Sequence, residues 1–219
     1  MNKKFLDLGN QPLANNYLSK FKKKQIKYKL KLFFNTKSKM VSISKRIPSE
    51  MMFTNNYPYR SSMSKTMQNS FYELSLEIKK KFKPKKILEI GSNDGALIKN
   101  FNKDEVIGIE PCRNLALITK KMGYVTYNNY WSHELAKKIR LKNEKIDLIY
   151  SANTLTHISD LNEVFKSISY LLSRNGILII EDPSLLECIK KNSYDQFYNE
   201  HIYLFSAISV SNLLKKFNL

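Results

Sequence analysis

The chain has 219 residues, 42% hydrophobic and 12% aromatic, which supplies enough apolar material for a packed core and excludes a wholly disordered chain. Its 37 Lys and Arg outnumber 19 Asp and Glu, for a net charge of +18, and 13 of the basic residues but only two acids fall in residues 1–50. Two cysteines, Cys112 and Cys188, exclude a disulfide framework and a four-cysteine zinc site. No apolar run is long enough for a transmembrane helix, and Asp7 and Gly9 interrupt the start, MNKKFLDLGNQPL, too early for a secretory signal. A soluble cytoplasmic protein is expected, with no membrane partner. A basic arm invites a nucleic-acid or anionic-ligand reading. Lys, Asn and Ile are abundant along the whole chain, however, and no zinc finger, aromatic RNA-binding pattern or DNA-reading helix accompanies the arm, so no specific nucleic-acid partner is expected.

Lys27 to Phe34 (KYKLKLFF) alternates polar and apolar residues and reads as a strand, with Lys39 to Ser44 (KMVSIS) as a hairpin partner. Residues 62–82 read as a helix capped by Ser62 or Ser64, with Met67, Phe71, Leu74 and Ile78 recurring at spacings of three and four, ended by Lys83-Pro84-Lys85. Beyond residue 84, strands and helices alternate. The spacing predicts strands at Lys86–Ile90, Glu105–Glu110, Tyr124–Tyr127, Lys145–Ser151 and Gly176–Glu181. Helices are predicted at Gly95–Phe101, Asn114–Met122, Ser132–Leu141, Asp160–Ser173 and Ile208–Leu219. Short apolar runs separated by amphipathic segments indicate an α/β fold: a parallel sheet with helices on both faces.

The richest chemistry lies where the first of these strands ends. Glu89-Ile90-Gly91-Ser92-Asn93-Asp94-Gly95 is a strand–turn–helix junction in which two glycines permit a sharp turn and close approach of a ligand. The next strand ends in Glu110, an acid placed to accept the hydroxyls of a ribose at the carboxyl end of the sheet. An adenosine-containing cofactor is implied. The dinucleotide fingerprint would need glycines at 93 and 96, where Asn93 and Ala96 stand, and the P-loop pattern is absent. S-adenosylmethionine carries no phosphate and needs neither cradle.

Four blocks, FLDLGNQPLANNYL (5–18), YPYRSSMSKT (57–66), ILEIGSNDGALI (87–98) and YDQFYNEHIYLFS (194–206), together resemble the sugar C-methyltransferase family of class I S-adenosylmethionine-dependent methyltransferases. GIEPCRNLA (108–116) and SANTLTHISDL (151–161) fit as well. The resemblance implies a Rossmann-like methyltransferase sheet preceded by a small degenerate zinc-binding-like β region, divided as residues 1–60 and 61–219. It implies methylation of a carbon beside the ketone of a nucleotide-linked keto-deoxysugar. Gly91, Asn93, Asp94 and Gly95 match the cofactor turn, Glu110 the ribose-binding acid, and Asn153 and His157 the segment beside cofactor and active site. Tyr198, Glu200 and His201 match the catalytic cluster, and Tyr57 and Tyr59 both lie in the block that supplies an active-site tyrosine. The chemistry agrees with these roles. A ketone acidifies the neighbouring C–H, an imidazole such as His201 suits proton removal, and a tyrosine hydroxyl suits the enolate oxygen.

The chain also departs from the family. Where a second zinc-binding cysteine pair is expected, in LFFNTKSKM, Asn35 and Ser38 stand, and the chain begins after the first pair, so zinc is expected to be absent. The family also continues past Leu219 through a hairpin and a second domain. The expectation is therefore a chain truncated at both ends, with a missing carboxyl half as a candidate separate partner chain, and with GILIIE as an edge strand if nothing covers it. A non-catalytic remnant that binds cofactor or a partner stands as the alternative to an active enzyme.

Overall fold

The apolar runs in the second half of the sequence become the strands of one sheet, and alternating runs near the amino terminus build another, in a computed structural model that describes residues 1–18, 20, 24–44, 46–143 and 145–219. In chain order the elements are β1 (Asn2–Gln11), β2 (Tyr28–Asn35), β3 (Met40–Ile43), α1 (Ser49–Met52), α2 (Lys65–Lys81), β4 (Ile87–Ile90), β5 (Val106–Ile109), α3 (Arg113–Lys121), β6 (Val125–Tyr127), α4 (His133–Lys142), β7 (Ile146–Ala152), α5 (Leu161–Leu171), β8 (Leu172–Glu181), α6 (Leu185–Lys191), β9 (Tyr203–Leu204) and α7 (Ala207–Leu214). They form two compact units. One comprises Met1–Met52, Asn153–Leu161 and Glu181–Leu219, and the other Phe53–Ala152 and Asn162–Ile180.

The second of these units holds a five-stranded sheet in the order β6-β5-β4-β7-β8. β4 pairs in parallel with β5 and β7, and β5 with β6, so that Ile90 lies opposite Ile109 and Ser151. Every residue of β4 and β5 is buried, as continuous apolar strands of a two-sided sheet require. α2 is capped by the Ser64 side chain, which accepts the Met67 N–H, and buries Phe71, Ser75 and Ile78. Phe71 meets Tyr150 of β7 edge-on at 6.4 Å, in a cluster with Ile78, Ile87, Leu97, Ile98 and Leu148. Fully burying such side chains stabilises the unit by about 1.5–3 kcal/mol each. β8 lies at the edge of the sheet, with Ile177 to Ile180 half-buried.

One predicted helix is corrected. Residues 95–101 form no α-helix, only a single 3-10 turn at Ile98–Asn100. The Asn100 side chain donates to the carbonyls of Ala96 and Leu97, at 3.2 and 3.1 Å. It takes the acceptors that a continuing helix would use. The last predicted helix also ends early: α7 stops at Leu214, followed by a 3-10 turn at Lys215–Phe217.

The unit that contains the amino terminus is built on an antiparallel sheet in the order β1-β2-β3-β9. The predicted hairpin is present, with Leu32 opposite Ile43 and Asn35 opposite Met40. β1 was not legible in advance: only Leu6 and Leu8 of its ten residues are partly buried, and its register shifts twice. Leu32, Val41 and Leu204 pack with Leu185 and Cys188 of α6. Asn35, at the place expected of a thiolate, instead organises a turn. Its Oδ1 accepts the N–H groups of Lys37 and Ser38 at 3.0 and 2.9 Å, and its Nδ2 donates to Asn2 Oδ1 at 2.7 Å. Among the described residues, no helix is long and apolar enough to cross a membrane.

This turn chemistry needs no metal. Elemental analysis of protein purified without chelators is expected to find zinc well below one per chain. A stoichiometric, tightly held zinc would show that the hairpin turn recruits ligands of another kind.

Candidate functional site

The turn after β4 is built by backbone conformations that few residues adopt. Gly91, Asn93 and Gly95 all have positive φ, at 77°, 48° and 87°. The Gly91 and Ser92 N–H groups both donate to the Ile109 carbonyl at 2.9 Å, folding the turn back over the end of β5. There Glu110, only 4% exposed, holds the other side: its Oε2 accepts the Asn93 N–H and its Oε1 the Cys112 N–H, each at 2.8 Å. Each oxygen keeps lone-pair capacity for a further donor. Asp94 is fixed by Ser62, whose Oγ–H and N–H donate to its two oxygens at 2.5 and 3.2 Å.

Three carboxyls thus converge on one turn, and sequence reading passed over the third. Glu89, inside β4, is fully enclosed. Burial pushes its carboxyl well above the usual range, and the charges of Glu110 and Asp94 push the same way. Burial also raises Glu110, against the downward pull of the Cys112 and Asn93 N–H groups. Glu89 Oε2 and Ser92 Oγ are buried without a hydrogen-bond partner. The signal for Glu89 was present in its place, an acid in an otherwise apolar strand directly before the turn.

The two candidate tyrosines are differently placed in this unit. Tyr57 is buried, its ring 5.4 Å from that of Phe53, and its backbone is clasped by Asn114, which accepts its N–H at 3.2 Å and donates to its carbonyl at 2.9 Å. Tyr59 has an exposed ring, and its carbonyl accepts from Asn93 Nδ2 at 3.4 Å. Gly91, Asn93, Asp94, Gly95, Glu110, Tyr57 and Tyr59 therefore belong to one unit. Asn153, Tyr198, Glu200 and His201 belong to the other.

In that other unit, His201 is 4% exposed and held at both ring nitrogens. Nδ1 lies 2.9 Å from the Gln196 carbonyl and Nε2 2.9 Å from the Tyr198 hydroxyl. A carbonyl can only accept, so this network assigns the proton to Nδ1 and leaves Nε2 to accept the Tyr198 O–H. Burial, with a smaller push from His157, lowers His201 to about 4. The His157 ring lies 5.0 Å from that of His201 and donates from Nδ1 to the Glu200 carbonyl at 2.9 Å. Burial lowers His157 too. The Glu200 side chain, 1% exposed, accepts at Oε2 from Asn15 Nδ2 at 2.9 Å. Asn15 was missed as a functional residue, because nothing local shows that it meets a carboxylate 185 positions away. Asn153 sits in a left-handed conformation, φ 48°, with its N–H on the Glu181 carbonyl at 2.6 Å.

The turn geometry makes Gly95 hard to replace. A Cβ there would meet Thr119 Cγ2 at 2.8 Å, on top of the positive φ. Gly95→Ala is expected to lower unfolding free energy by about 1–3 kcal/mol. A denaturant midpoint equal to the parent's would show that the turn relaxes freely.

Residues 59–219 match a family model described as a methyltransferase domain. A C-methyltransferase, NovU of Streptomyces niveus, is 32% identical over 135 residues, which is 61% of this chain and 32% of that protein. The matched region thus spans about a third of the relative's length. Among solved structures, an S-adenosylmethionine-dependent methyltransferase from Archaeoglobus fulgidus superposes with a TM-score of 0.55 at 15% identity, covering 68% of each chain. The plantazolicin methyltransferase BamL, solved with a triazolic desmethylPZN analog and SAH, has a TM-score of 0.54 at 18% identity over 70% of this chain and 63% of that one. With the sheet order, the glycine turn and the acid that ends β5, this match shows that the chain belongs to the methyltransferase-domain family and has its class I, Rossmann-like fold.

Proposed function

We infer that the chain transfers a methyl group from S-adenosylmethionine to a carbon beside the ketone of a nucleotide-linked keto-deoxysugar, acting in the cytoplasm. The single observation that carries this reading is the buried neutral imidazole of His201, fixed at Nδ1 by the Gln196 carbonyl and facing the Tyr198 hydroxyl through Nε2. Methyl transfer to oxygen or nitrogen starts from an atom that already has a lone pair. Carbon must first lose a proton, and a positioned base beside a phenol is what that step requires. The likeness to a C-methyltransferase supports the same choice.

Gly91, Asn93, Asp94, Gly95 and Glu110, all of one unit, would hold the cofactor. The fit is one of charge. S-adenosylmethionine carries a net positive charge and no phosphate, and the turn presents the carboxyls of Asp94 and Glu110, with Glu89 Oε2 and Ser92 Oγ buried and still unpartnered beside them. When bound, the cofactor supplies an electrophilic methyl on a sulfonium. The chain's own residues do the rest. His201 is neutral at physiological pH because burial holds it near 4, so Nε2 is open to a proton from the carbon. Taking it ends its acceptance of the Tyr198 O–H, which turns to the enolate oxygen as charge develops there. Glu200, whose side chain is anchored by Asn15 and whose carbonyl holds His157, is the third member of the cluster. Tyr57 and Tyr59 are the further phenols of the reading, and Tyr59 is the one with an exposed ring.

Two measurements test the two halves separately. Glu110→Ala is expected to weaken S-adenosylmethionine by about 1–3 kcal/mol in calorimetry, from loss of a charged acceptor. It should also lower the melting temperature, because the Asn93 and Cys112 N–H groups lose their partner. A folded variant with unchanged affinity would reject this cofactor placement. His201→Ala is expected to abolish both methyl transfer and solvent-deuterium exchange at the sugar carbon beside the ketone, with cofactor affinity nearly intact. Exchange that persists in the variant would move proton removal to another group. A parent chain that binds cofactor but shows neither exchange nor transfer would favour a non-catalytic role.

A further inference from the structure

The turn that carries His157 is held from two adjacent residues on another segment of the same unit. Glu181 takes the Asn153 N–H on its carbonyl at 2.6 Å, where Asn153 adopts its left-handed conformation. Asp182 Oδ1 accepts the Thr156 Oγ1–H at 3.1 Å, and the backbone N–H groups of Thr154 and Thr156 are turned toward the same carboxyl. His157 closes this turn through its own N–H, which donates to the Thr154 carbonyl at 3.0 Å. Its ring then meets the Glu200 carbonyl at 2.9 Å and the His201 ring at 5.0 Å. The other oxygen of Asp182, Oδ2, is buried and has no hydrogen-bond partner.

We propose that Asp182 is a positioning residue of the base cluster: its charged carboxyl clamps the turn from Thr154 to His157, and through the His157–Glu200 hydrogen bond it sets the backbone that presents His201. The catalytic half of this statement rests on the function inferred above, and the clamp itself does not. A carboxylate grips hydroxyl and N–H donors more strongly than a neutral acid, so the clamp tightens when Asp182 ionises. Burial raises Asp182 to about 7, aided by the charge of the adjacent Glu181 and opposed by the hydrogen bonds from Thr156 and Thr154. The titratable groups at the far side of the turn are His157 and His201, both lowered by burial, His201 to about 4. His201, held near 4, stays neutral between pH 6 and 8 and is the silent reporter there. Protonating Asp182 loosens the turn; raising the pH through 7 tightens it.

Imidazole NMR of the full chain with labelled histidine, across pH 6–8, tests the clamp without any substrate. His133→Gln identifies the one remaining histidine signal. In the parent, the His201 resonances, moved through the His157–Glu200 hydrogen bond, are expected to shift with a midpoint near 7. In Asp182→Asn, which is isosteric and keeps an acceptor for Thr156, that shift is expected to vanish. A flat parent titration, or the same shift in Asp182→Asn, overturns the proposal. Turnover supplies the second readout. Methyl transfer by the parent should rise through the same midpoint, and Asp182→Asn should lose that rise. Asp182→Ala should lose roughly ten- to a hundredfold in turnover. A parent pH profile retained by Asp182→Asn refutes positioning. Absence of any transfer in the parent refutes the function while the spectra still decide the clamp.

Discussion

A buried carboxyl group directly after β5 is the interaction on which the glycine turn of the methyltransferase sheet depends. Glu110 accepts two backbone N–H groups, one from the turn after β4 and one from the start of α3. The turn needs such a partner because three of its residues sit at positive φ and its donors would otherwise be left without acceptors in a region closed to water. The same carboxylate gives the turn its chemical character. With Glu89 and Asp94 it brings three carboxyls to one turn. The acid is costly to bury, and its two N–H partners offset that cost.

The unit that contains the amino terminus is organised by a different economy of polar groups. Its histidines are neutral because they are enclosed, and each ring nitrogen that could be placed has a defined partner. Gln196 and Tyr198, Asn15, and Asp182 hold the cluster from three separate places in the sequence. A base kept neutral by burial is weak at rest. It becomes effective when proton transfer generates an anion beside it, because the new opposite charge compensates the lost hydration. Under the proposed function, such an arrangement would suit proton removal coupled to charge formation on a nearby oxygen.

Much of this was legible in the residues. The alternation after residue 84 anticipated all five strands of the parallel sheet and four of the helices, because short apolar runs such as KILEI and GILIIE alternate with helix-length amphipathic segments. Glu110 stood out as an acid directly after an apolar strand, but its hold on the Asn93 and Cys112 N–H groups did not. The helix expected at residues 95–101 failed because periodicity does not reveal that Asn100 turns back on the carbonyls of its own first turn. β1 was invisible because a strand with two half-buried residues in ten carries almost no period-two signal.

The sequence by itself determined the class of fold and the glycine turn after β4, and through the resemblance of YDQFYNEHIYLFS it singled out Tyr198, Glu200 and His201, since each is written in a contiguous stretch. Only the tertiary structure decided the state of those groups. It set the tautomer and low basicity of His201, the enclosure of Glu89, the pairing of Asn15 with Glu200, and the grip of Asp182 on the His157 turn. These depend on burial and on partners distant in the chain, and desolvation is a property of the packed surroundings that no single segment encodes.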